Sequence, residues 1–267
     1  SGVHVHLYDR LCPTPMLSFA VRHLHCSAGI VISASHNTKE YNGIKCYGPD
    51  GGQMTEIPAA KVSAAIETID LFEPEHLRFE EALEKGLVTY IPDSVWQDYY
   101  ARISREAIYP ENVKKAALRV VYSPLCGAGG EPVSEMLTRL GAELHIPESQ
   151  RLPSGEFASC PTPNPETDSA FDENYKLAAQ CRPDIILATD PDSDRIAAAI
   201  PVGGGFRKLS GNEMGCLLLD YILRNLKKNG TLPEKPVAVK SIVSTPLADR
   251  IAAALGCEMR TVLTGFK

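Results

Sequence analysis

The sequence has no closely spaced cysteines. Its eight cysteines stand singly, with no C-x-x-C pair and no histidines at the spacing of a zinc site. This excludes a disulfide scaffold and a zinc ribbon, and it favours reduced, mostly buried thiols. No apolar run approaches the ~20 residues that span a bilayer, and no basic segment with an apolar stretch opens the chain. We therefore expect a soluble cytoplasmic protein with no membrane partner.

An excess of positive charge is also missing. The chain has 27 basic and 33 acidic residues, a formal net charge of -6. This balance gives no electrostatic footprint for a nucleic-acid backbone, so a small-molecule substrate is expected. With 267 residues, of which 44% are hydrophobic, the chain is long enough for more than one core.

Apolar periodicity predicts strands and helices in alternation along the whole chain, which indicates an α/β fold with largely parallel pairing. The predicted strands are 3–8, 29–32, 43–47 paired with 52–54, 118–122, 143–146, 184–188, 237–242 and 258–263. The predicted helices run from Thr14 through Leu24, over 56–70 and 94–106, up to Leu140, through Tyr175 and Leu177, up to Lys228, and over 246–255. Three stretches of similar pattern predict domains at 1–109, 110–208 and 209–267. The pattern of the first lacks its beginning and that of the third its end, so we expect an excerpt of a longer protein.

The strongest local signal is the run Asp-Pro-Asp-Ser-Asp-Arg at 190–195, directly after an apolar strand. Three carboxylates at alternate positions can direct oxygen ligands at one point, which suits a hard ion such as Mg²⁺. An EF-hand loop is excluded because Arg195 and Pro201 stand where glycine and glutamate are needed. Two alternatives stay open: a haloacid-dehalogenase-type phosphatase with Asp190 as nucleophile, and a solvated acidic turn.

A second signal is the run Ser-Ala-Ser-His-Asn at 33–37, predicted on a loop that leaves a buried strand. Loops at the carboxyl ends of strands are the usual ligand positions of an α/β sheet. The hydroxyl of Ser35 and the imidazole of His36 could act on a phosphoryl group, or be ordinary polar loop residues. A hydrolase elbow is disfavoured because no G-x-S-x-G frame surrounds Ser35. Lys45, after a turn, could reach the same pocket.

Together these motifs resemble the α-D-phosphohexomutase family, in the family's order and over essentially the whole chain. The runs that carry the resemblance are 33–37, Tyr-Asn-Gly-Ile-Lys at 41–45, Asn-Pro-Glu at 164–166, 190–195, Gly-Asn-Glu at 211–213 and Thr-Gly-Phe-Lys at 264–267. Within the family, the chain looks most like the bacterial long-form α-phosphoglucomutases. The resemblance implies successive three-layer α/β/α domains with mixed, largely parallel sheets.

The resemblance also implies roles for individual residues. Ser35 would be the phosphoserine and would bind Mg²⁺ together with the three aspartates. The catalytic residues would be Ser35, His36, Lys45 and Lys267; the metal ligands Ser35, Asp190, Asp192 and Asp194; and the substrate or phosphate contacts Asn37, Arg195, Asn212 and Glu213.

The implied activity is the interconversion of hexose 1-phosphate and hexose 6-phosphate through a phosphoserine and a hexose bisphosphate. Expected ligands are glucose 1-phosphate, glucose 6-phosphate and glucose 1,6-bisphosphate. Alternatives are a phosphomannomutase, a phosphoglucosamine mutase, or a non-catalytic phosphosugar- or metal-binding module. The sequence departs from the family pattern at Thr38, where proline is usual. It also lacks the family's N-terminal Gly-Thr-x-Gly-x-Arg-Gly segment, its third-domain sugar loop and its Arg-x-Ser-Gly-Thr phosphate clamp, so we expect little activity from this chain alone.

Overall fold

A computed structural model of the chain describes residues 2–70, 72 and 77–265. These residues divide into two compact units. The first comprises the chain up to Ser33 and Gly43–Arg102; the second comprises Ala34–Asn42 and the chain from Ile103 to the last described residue. The division at 109 and 208 expected from the sequence stays a prediction.

Strands and helices alternate as the sequence predicts, which confirms an α/β fold. The strands of the described residues are β1 (Val5–Leu7), β2 (Gly29–Ile32), β3 (Ile44–Tyr47), β4 (Val88–Tyr90), β5 (Arg119–Ser123), β6 (Glu143–His145), β7 (Ile185–Thr189), β8 (Ile196–Val202), β9 (Gly205–Lys208), β10 (Val237–Ser241) and β11 (Glu258–Val262). The helices are α1 (Thr14–His23), α2 (Glu56–Ile66), α3 (Phe79–Glu84), α4 (Asp93–Ser104), α5 (Glu111–Lys115), α6 (Gly130–Arg139), α7 (Glu148–Arg151), α8 (Asp172–Cys181), α9 (Gly211–Lys228) and α10 (Leu247–Leu255). No helix among the described residues is long and apolar enough to cross a bilayer.

The first unit contains two short sheets: β1 pairs parallel with β4, and β2 pairs antiparallel with β3. Its core joins Ala20 of α1 to Ile91 and to Val95 of α4, with Tyr8 packed against them. Pro15 occupies the first turn of α1, where its missing N–H costs no hydrogen bond. Pro13 holds the cap position, and Thr14 is the first helical residue, as the sequence predicts.

Two expectations for the first unit are wrong. The strand before 33–37 was expected to be buried, yet Ile30 and Ile32 of β2 are 63% and 71% exposed. They point to the same face because side chains alternate along a strand, and that face of the β2–β3 pair is uncovered in the described residues. The second predicted strand of a 43–47 and 52–54 pair is only an isolated bridge between Tyr47 and Gln53.

The second unit is built on a five-stranded sheet of order β6-β5-β7-β8-β9. β5 runs parallel to both neighbours, whereas β7, β8 and β9 are successively antiparallel. The sheet is therefore mixed. The sequence pattern predicts no strand in 196–208, where the structure has the β8–β9 hairpin. Its turn residues Gly203 and Gly204 have φ of 58° and 87°, which glycine adopts without steric cost.

The core of this unit lies between the sheet and α8. Val121 of β5 and Ile186 of β7 pack with Phe171 and with Ala178 of α8. After the sheet, α9 and α10 pack over the parallel pair of β10 and β11, with Leu223 at the centre of a smaller cluster.

The topology brings two loops to one edge of the sheet. β5 and β7 are parallel neighbours, with Tyr122 opposite Leu187 and Ser123 opposite Ala188. Their carboxyl ends therefore lie side by side, and in α/β sheets this is where ligands bind. The glycine-rich turn 124–129 leaves β5 there, and the aspartate loop 190–195 leaves β7 there.

Candidate active site

Three carboxylates converge in the aspartate loop. Asp190, Asp192 and Asp194 each offer one oxygen, and these oxygens all lie within 4.8 Å of one another. Asp190 and Asp192 are buried and Asp194 is half-buried. The backbone N–H of Arg195 donates to Asp190 Oδ1 at 3.0 Å, which turns the loop back on its first residue. The sequence prediction that alternation gathers the three side chains at one point agrees with this geometry.

The cluster has the chemistry of a site for a hard divalent cation. Burial, followed by the charges of Asp192 and Asp194, raises the pKa of Asp190 to about 7. Carboxylates crowded in this way repel each other when ionised, and a bound cation offsets that repulsion. A donor set made only of oxygen suits Mg²⁺, Mn²⁺ or Ca²⁺ better than softer metals. The residues present therefore fit a cation of this class.

Ser35 meets the aspartate cluster directly. Ser35 Oγ donates to Asp190 Oδ2 at 3.2 Å, and Ser35 Oγ also lies 3.3 Å from His36 Nδ1. Asp190 and Ser35 are 155 positions apart in the sequence. Both belong to the second unit, because the loop Ala34–Asn42 groups with it. The phosphoserine and the metal ligand Asp190 that the sequence predicts are thus neighbours.

The backbone at Ser35 is strained. Its φ is 54°, in the left-handed region that non-glycine residues rarely adopt. The Asn37 N–H donates to the Ala34 carbonyl at 3.1 Å, closing a tight turn around it. Such conformations cost roughly 1 to 3 kcal/mol and cluster at functional sites. The strain supports a role for this turn beyond connecting two strands.

His36 has both positively and negatively charged neighbours. Burial, and then the positive charge of Arg195, lower the pKa of His36, while Glu166, Asp192 and Asp194 act in the opposite direction. The net shift is downward, so the imidazole is neutral near neutral pH. A neutral His36 can hold the Ser35 hydroxyl in place without adding a positive charge to a cation site.

The other predicted site residues have different surroundings. The Arg195 side chain is partly exposed, with Nε 3.9 Å from Asp194 Oδ1, and Asn37 is exposed on the turn that carries Ser35. Lys45 lies on β3 in the first unit. Lys267 lies outside the described residues. The roles of these four residues stay predictions.

The start of α9 carries two more predicted residues, and both make structural contacts. Asn212 Oδ1 accepts from the Thr245 N–H at 2.9 Å. Glu213 forms a capping box with Ser210, accepting from its N–H at 2.8 Å, and also accepts from Arg207 Nη1 at 2.7 Å. These hydrogen bonds join the start of α9 to Thr245, Ser210 and Arg207. Their predicted substrate contacts stay predictions.

The sequence analysis did not predict two contacts of this unit. Lys39, on the loop Ala34–Asn42, pairs with Glu156 at 2.9 Å. No motif indicates this exposed contact, because the partners are 117 positions apart. Tyr122 on β5 bonds to Thr189 directly behind the aspartate loop. The second contact could have been predicted from the topology. If β5 and β7 are expected to be parallel neighbours, the glycine-rich turn after β5 and the aspartates after β7 are expected to lie side by side.

Comparison with known protein families agrees with the geometry. Residues 1–73 match the model for phosphoglucomutase/phosphomannomutase α/β/α domain I, and residues 97–203 match the model for α/β/α domain II of the same family. Together these matches cover more than half of the chain. The chain belongs to this family.

Individual relatives agree with the assignment. A phosphoglucomutase of Staphylococcus aureus is 36% identical over 270 aligned residues, which cover 99% of this chain and 47% of the relative. The chain therefore spans about half the length of the curated relatives it matches. A candidate phosphomannomutase from Thermus thermophilus superposes with a TM-score of 0.74 at 25% identity, over 99% of this chain and 55% of that one.

A more distant structure shares the fold. It is the N-acetylphosphoglucosamine mutase of Aspergillus fumigatus in complex with GlcNAc-6P and magnesium, at a TM-score of 0.51 and 16% identity. The match covers 94% of this chain and 58% of that one. The α/β fold and the phosphohexomutase membership predicted from the sequence are confirmed.

Proposed function

We propose that this chain carries the phosphoryl-transfer half of a hexose-phosphate mutase, with Ser35 as the phosphoryl carrier. The observation that carries the proposal is the contact of Ser35 Oγ with Asp190 Oδ2 at 3.2 Å, inside a cluster of three carboxylates. A hydroxyl held against a cation site is the arrangement that phosphoryl transfer needs. The family membership supports the same activity.

In this proposal Asp190, Asp192 and Asp194 hold Mg²⁺ next to Ser35. The ion, when bound, would neutralise charge on the transferring group, a contribution of several kcal/mol. Asp190 also fixes the serine hydroxyl, and His36 keeps it oriented from the other side. Arg195, whose N–H anchors Asp190, would contact the phosphoryl oxygens with its guanidinium group.

The reaction would run in two balanced steps. Phosphoserine 35 gives its phosphoryl group to a free hydroxyl of the hexose monophosphate, and the hydroxyl proton leaves to a base as the Ser35 oxygen regains one. The hexose bisphosphate then reorients in the site and returns its other phosphoryl group to Ser35, whose hydroxyl proton goes to a base as the released sugar oxygen gains one. Lys45 and Lys267 are the proposed proton-handling residues, with Asn37, Asn212 and Glu213 as further substrate contacts.

Glucose phosphates are the proposed substrates. The name of the Staphylococcus aureus relative supports glucose over mannose or glucosamine. The sequence motifs for holding the non-reacting phosphate are missing from this chain. Because binding remote from the chemistry raises the rate, we expect little turnover by the 267 residues alone.

A half-reaction tests the proposal on this chain itself. The 267-residue chain would be incubated with glucose 1,6-bisphosphate and Mg²⁺, and its intact mass and Ser35-containing peptide compared before and after. We expect one added phosphoryl group, located on Ser35 and absent in Ser35→Ala. The matched control is Ser33→Ala, which removes a hydroxyl two positions away and should leave labelling intact.

The same substitution separates the enzyme from a binding module. In the full-length protein, Ser35→Ala should abolish interconversion of glucose 1-phosphate and glucose 6-phosphate in a coupled assay while ligand binding persists. Full activity of Ser35→Ala, or phosphorylation at another residue, would overturn the proposal. Turnover of mannose or glucosamine phosphate in preference to glucose phosphate would change the substrate only.

A further inference from the structure

Three hydroxyl side chains form a cluster behind the aspartate loop. The phenol of Tyr122 lies 2.9 Å from Thr189 Oγ1, and both residues are buried. Ser193, inside the loop, places its Oγ at 3.5 Å from Thr189 Oγ1 and at 3.4 Å from the Asp190 carbonyl. The contact follows from the sheet: Tyr122 pairs with Leu187, so Thr189 is its diagonal neighbour on the same face.

The glycine-rich turn after β5 leaves room for this cluster. A Cβ on Gly129 would lie 2.4 Å from Ser193 Oγ, 2.6 Å from the Tyr122 hydroxyl and 2.8 Å from Thr189 Oγ1. The φ of Gly129 is -72°, which any residue adopts, so glycine is needed here for space. The glycine-rich turn also contacts the aspartate loop through its backbone: the Ala128 N–H donates to the Pro191 carbonyl at 2.7 Å.

The loop conformation needs such support. Ser193 has a φ of 55°, a left-handed conformation that is unfavourable for a non-glycine residue. The three carboxylates also repel each other when ionised. Without contacts from outside, both effects favour an open loop with its aspartates apart.

We infer that Tyr122, Thr189 and Ser193 are positioning residues, which hold the loop in the conformation that gathers Asp190, Asp192 and Asp194 around a divalent cation. The inference rests on the proposed cation site. Groups that orient metal ligands from behind typically change metal affinity by about 10- to 100-fold when they are removed. Tyr122 can act this way because its buried phenol lies in hydrogen-bond contact with Thr189, the residue directly before Asp190.

The test uses Mn²⁺ as a probe for the 267-residue chain, with free ion counted by electron paramagnetic resonance. Tyr122→Phe removes one oxygen and keeps the buried ring, and Thr189→Val removes the partner hydroxyl. We expect each to weaken Mn²⁺ binding by about 10-fold. The double variant should be little worse than either one, because both act through the same hydrogen bond. Thr189→Ser restores the hydroxyl and should restore affinity.

Controls separate positioning from general damage. Tyr175→Phe removes the same oxygen from a ring that packs on Phe171 and Phe206, and it should leave Mn²⁺ affinity unchanged. Circular dichroism checks that each variant is folded. Should Tyr122→Phe fold poorly, Ser193→Ala tests the same cluster from a partly exposed position, with a smaller loss expected.

The outcomes are distinct. If the unchanged chain binds Mn²⁺ while Tyr122→Phe and Thr189→Val bind it equally well, the positioning role is wrong and the cation site stands. If the unchanged chain binds no Mn²⁺, the proposed cation site fails and the inference fails with it. Loss of affinity in Thr189→Val without rescue by Thr189→Ser would also overturn it.

Discussion

Asp190 and Glu213 are carboxylates of the same unit, both predicted for the site from the sequence, and their surroundings are opposite. Asp190 is completely buried, and burial together with neighbouring carboxylates raises its pKa to about 7. Glu213 is partly exposed, and hydrogen bonds from Ser210 and Arg207 lower its pKa to about 2. One carboxylate is crowded by like charge, and the other is surrounded by donors.

The difference separates two uses of an acidic side chain. The oxygens of Glu213 already accept from the Ser210 N–H and from Arg207, which stabilises the start of α9. Asp190 shares its space with two further carboxylates, a costly arrangement that a divalent cation would offset. Motif matching alone ranks the two residues together. Their surroundings favour the aspartate loop as the chemical centre.

The largest effect is expected when one aspartate of the cluster is replaced. We expect Asp190→Asn to weaken Mn²⁺ binding by about 100-fold or more, because it removes a ligand and its charge together. The matched control is Asp220→Asn, on the exposed face of α9, where the partner is Arg224. Electron paramagnetic resonance of free Mn²⁺ measures both, and equal affinity in the two variants would contradict the assignment.

Although Asp190→Asn should weaken Mn²⁺ binding, it should raise the melting temperature of the metal-free chain. The folded-state pKa of Asp190 is raised from 3.8 to about 7, so its contribution to stability is present at low pH and lost as the pH rises through about 7. Asp190→Asn should therefore melt higher than the unchanged chain at about pH 8 in chelator, with the difference shrinking below about pH 7. Saturating Mg²⁺ should reverse the order, since only the unchanged chain gains from binding.

Most of the fold was predictable because its signals are local. Local apolar patterns located β5, β7 and α9 to within a residue or two. β5 and β7 are short apolar runs, and α9 repeats its apolar residues at the helical period. The β8–β9 hairpin was missed because β8 contains three consecutive alanines and Pro201, residue types that are depleted in strands. Exposure of β2 could not be predicted, because it depends on which faces other elements cover.

The site was predictable only in part, for the same reason. The aspartate spacing and the serine turn are each short local patterns, and family resemblance joined them. The hydroxyl cluster of Tyr122 and Thr189 depends on β5 and β7 lying side by side, a relation that no spacing in the sequence records. The motif that contains Glu213 also forms a capping box, so the role of Glu213 as a substrate contact stays a prediction.

Removal of the helix cap next to Glu213 should change stability without changing cation binding. Ser210→Ala removes the side-chain cap of α9 and should lower the free energy of unfolding by about 1 kcal/mol. Mn²⁺ affinity should not change, because the cap belongs to the helix and not to the cation site. Urea denaturation and Mn²⁺ titration measure the two quantities. Ser63→Ala on α2, an exposed serine inside a helix, is the control and should change stability little. A fall in Mn²⁺ affinity in Ser210→Ala would mean that the two segments are coupled.

The smallest expected effect lies in the pH dependence of Glu213. Its pKa falls from 4.5 to about 2 on folding, so its stabilising contribution is complete above pH 4.5 and is lost as the pH falls towards 2. Glu213→Gln should therefore be less stable than the unchanged chain at about pH 6, with the difference closing between pH 4.5 and about 2. Urea denaturation across this range measures it. The pH range of this effect lies lower than the range of the Asp190 effect, and stability changes with pH in the opposite direction. Ionisation of Glu213 stabilises the fold because hydrogen-bond donors surround it, whereas ionisation of Asp190 destabilises the fold because other carboxylates crowd it. A difference that persists unchanged to the acid end of this range would show that Glu213 acts through packing instead of its charge.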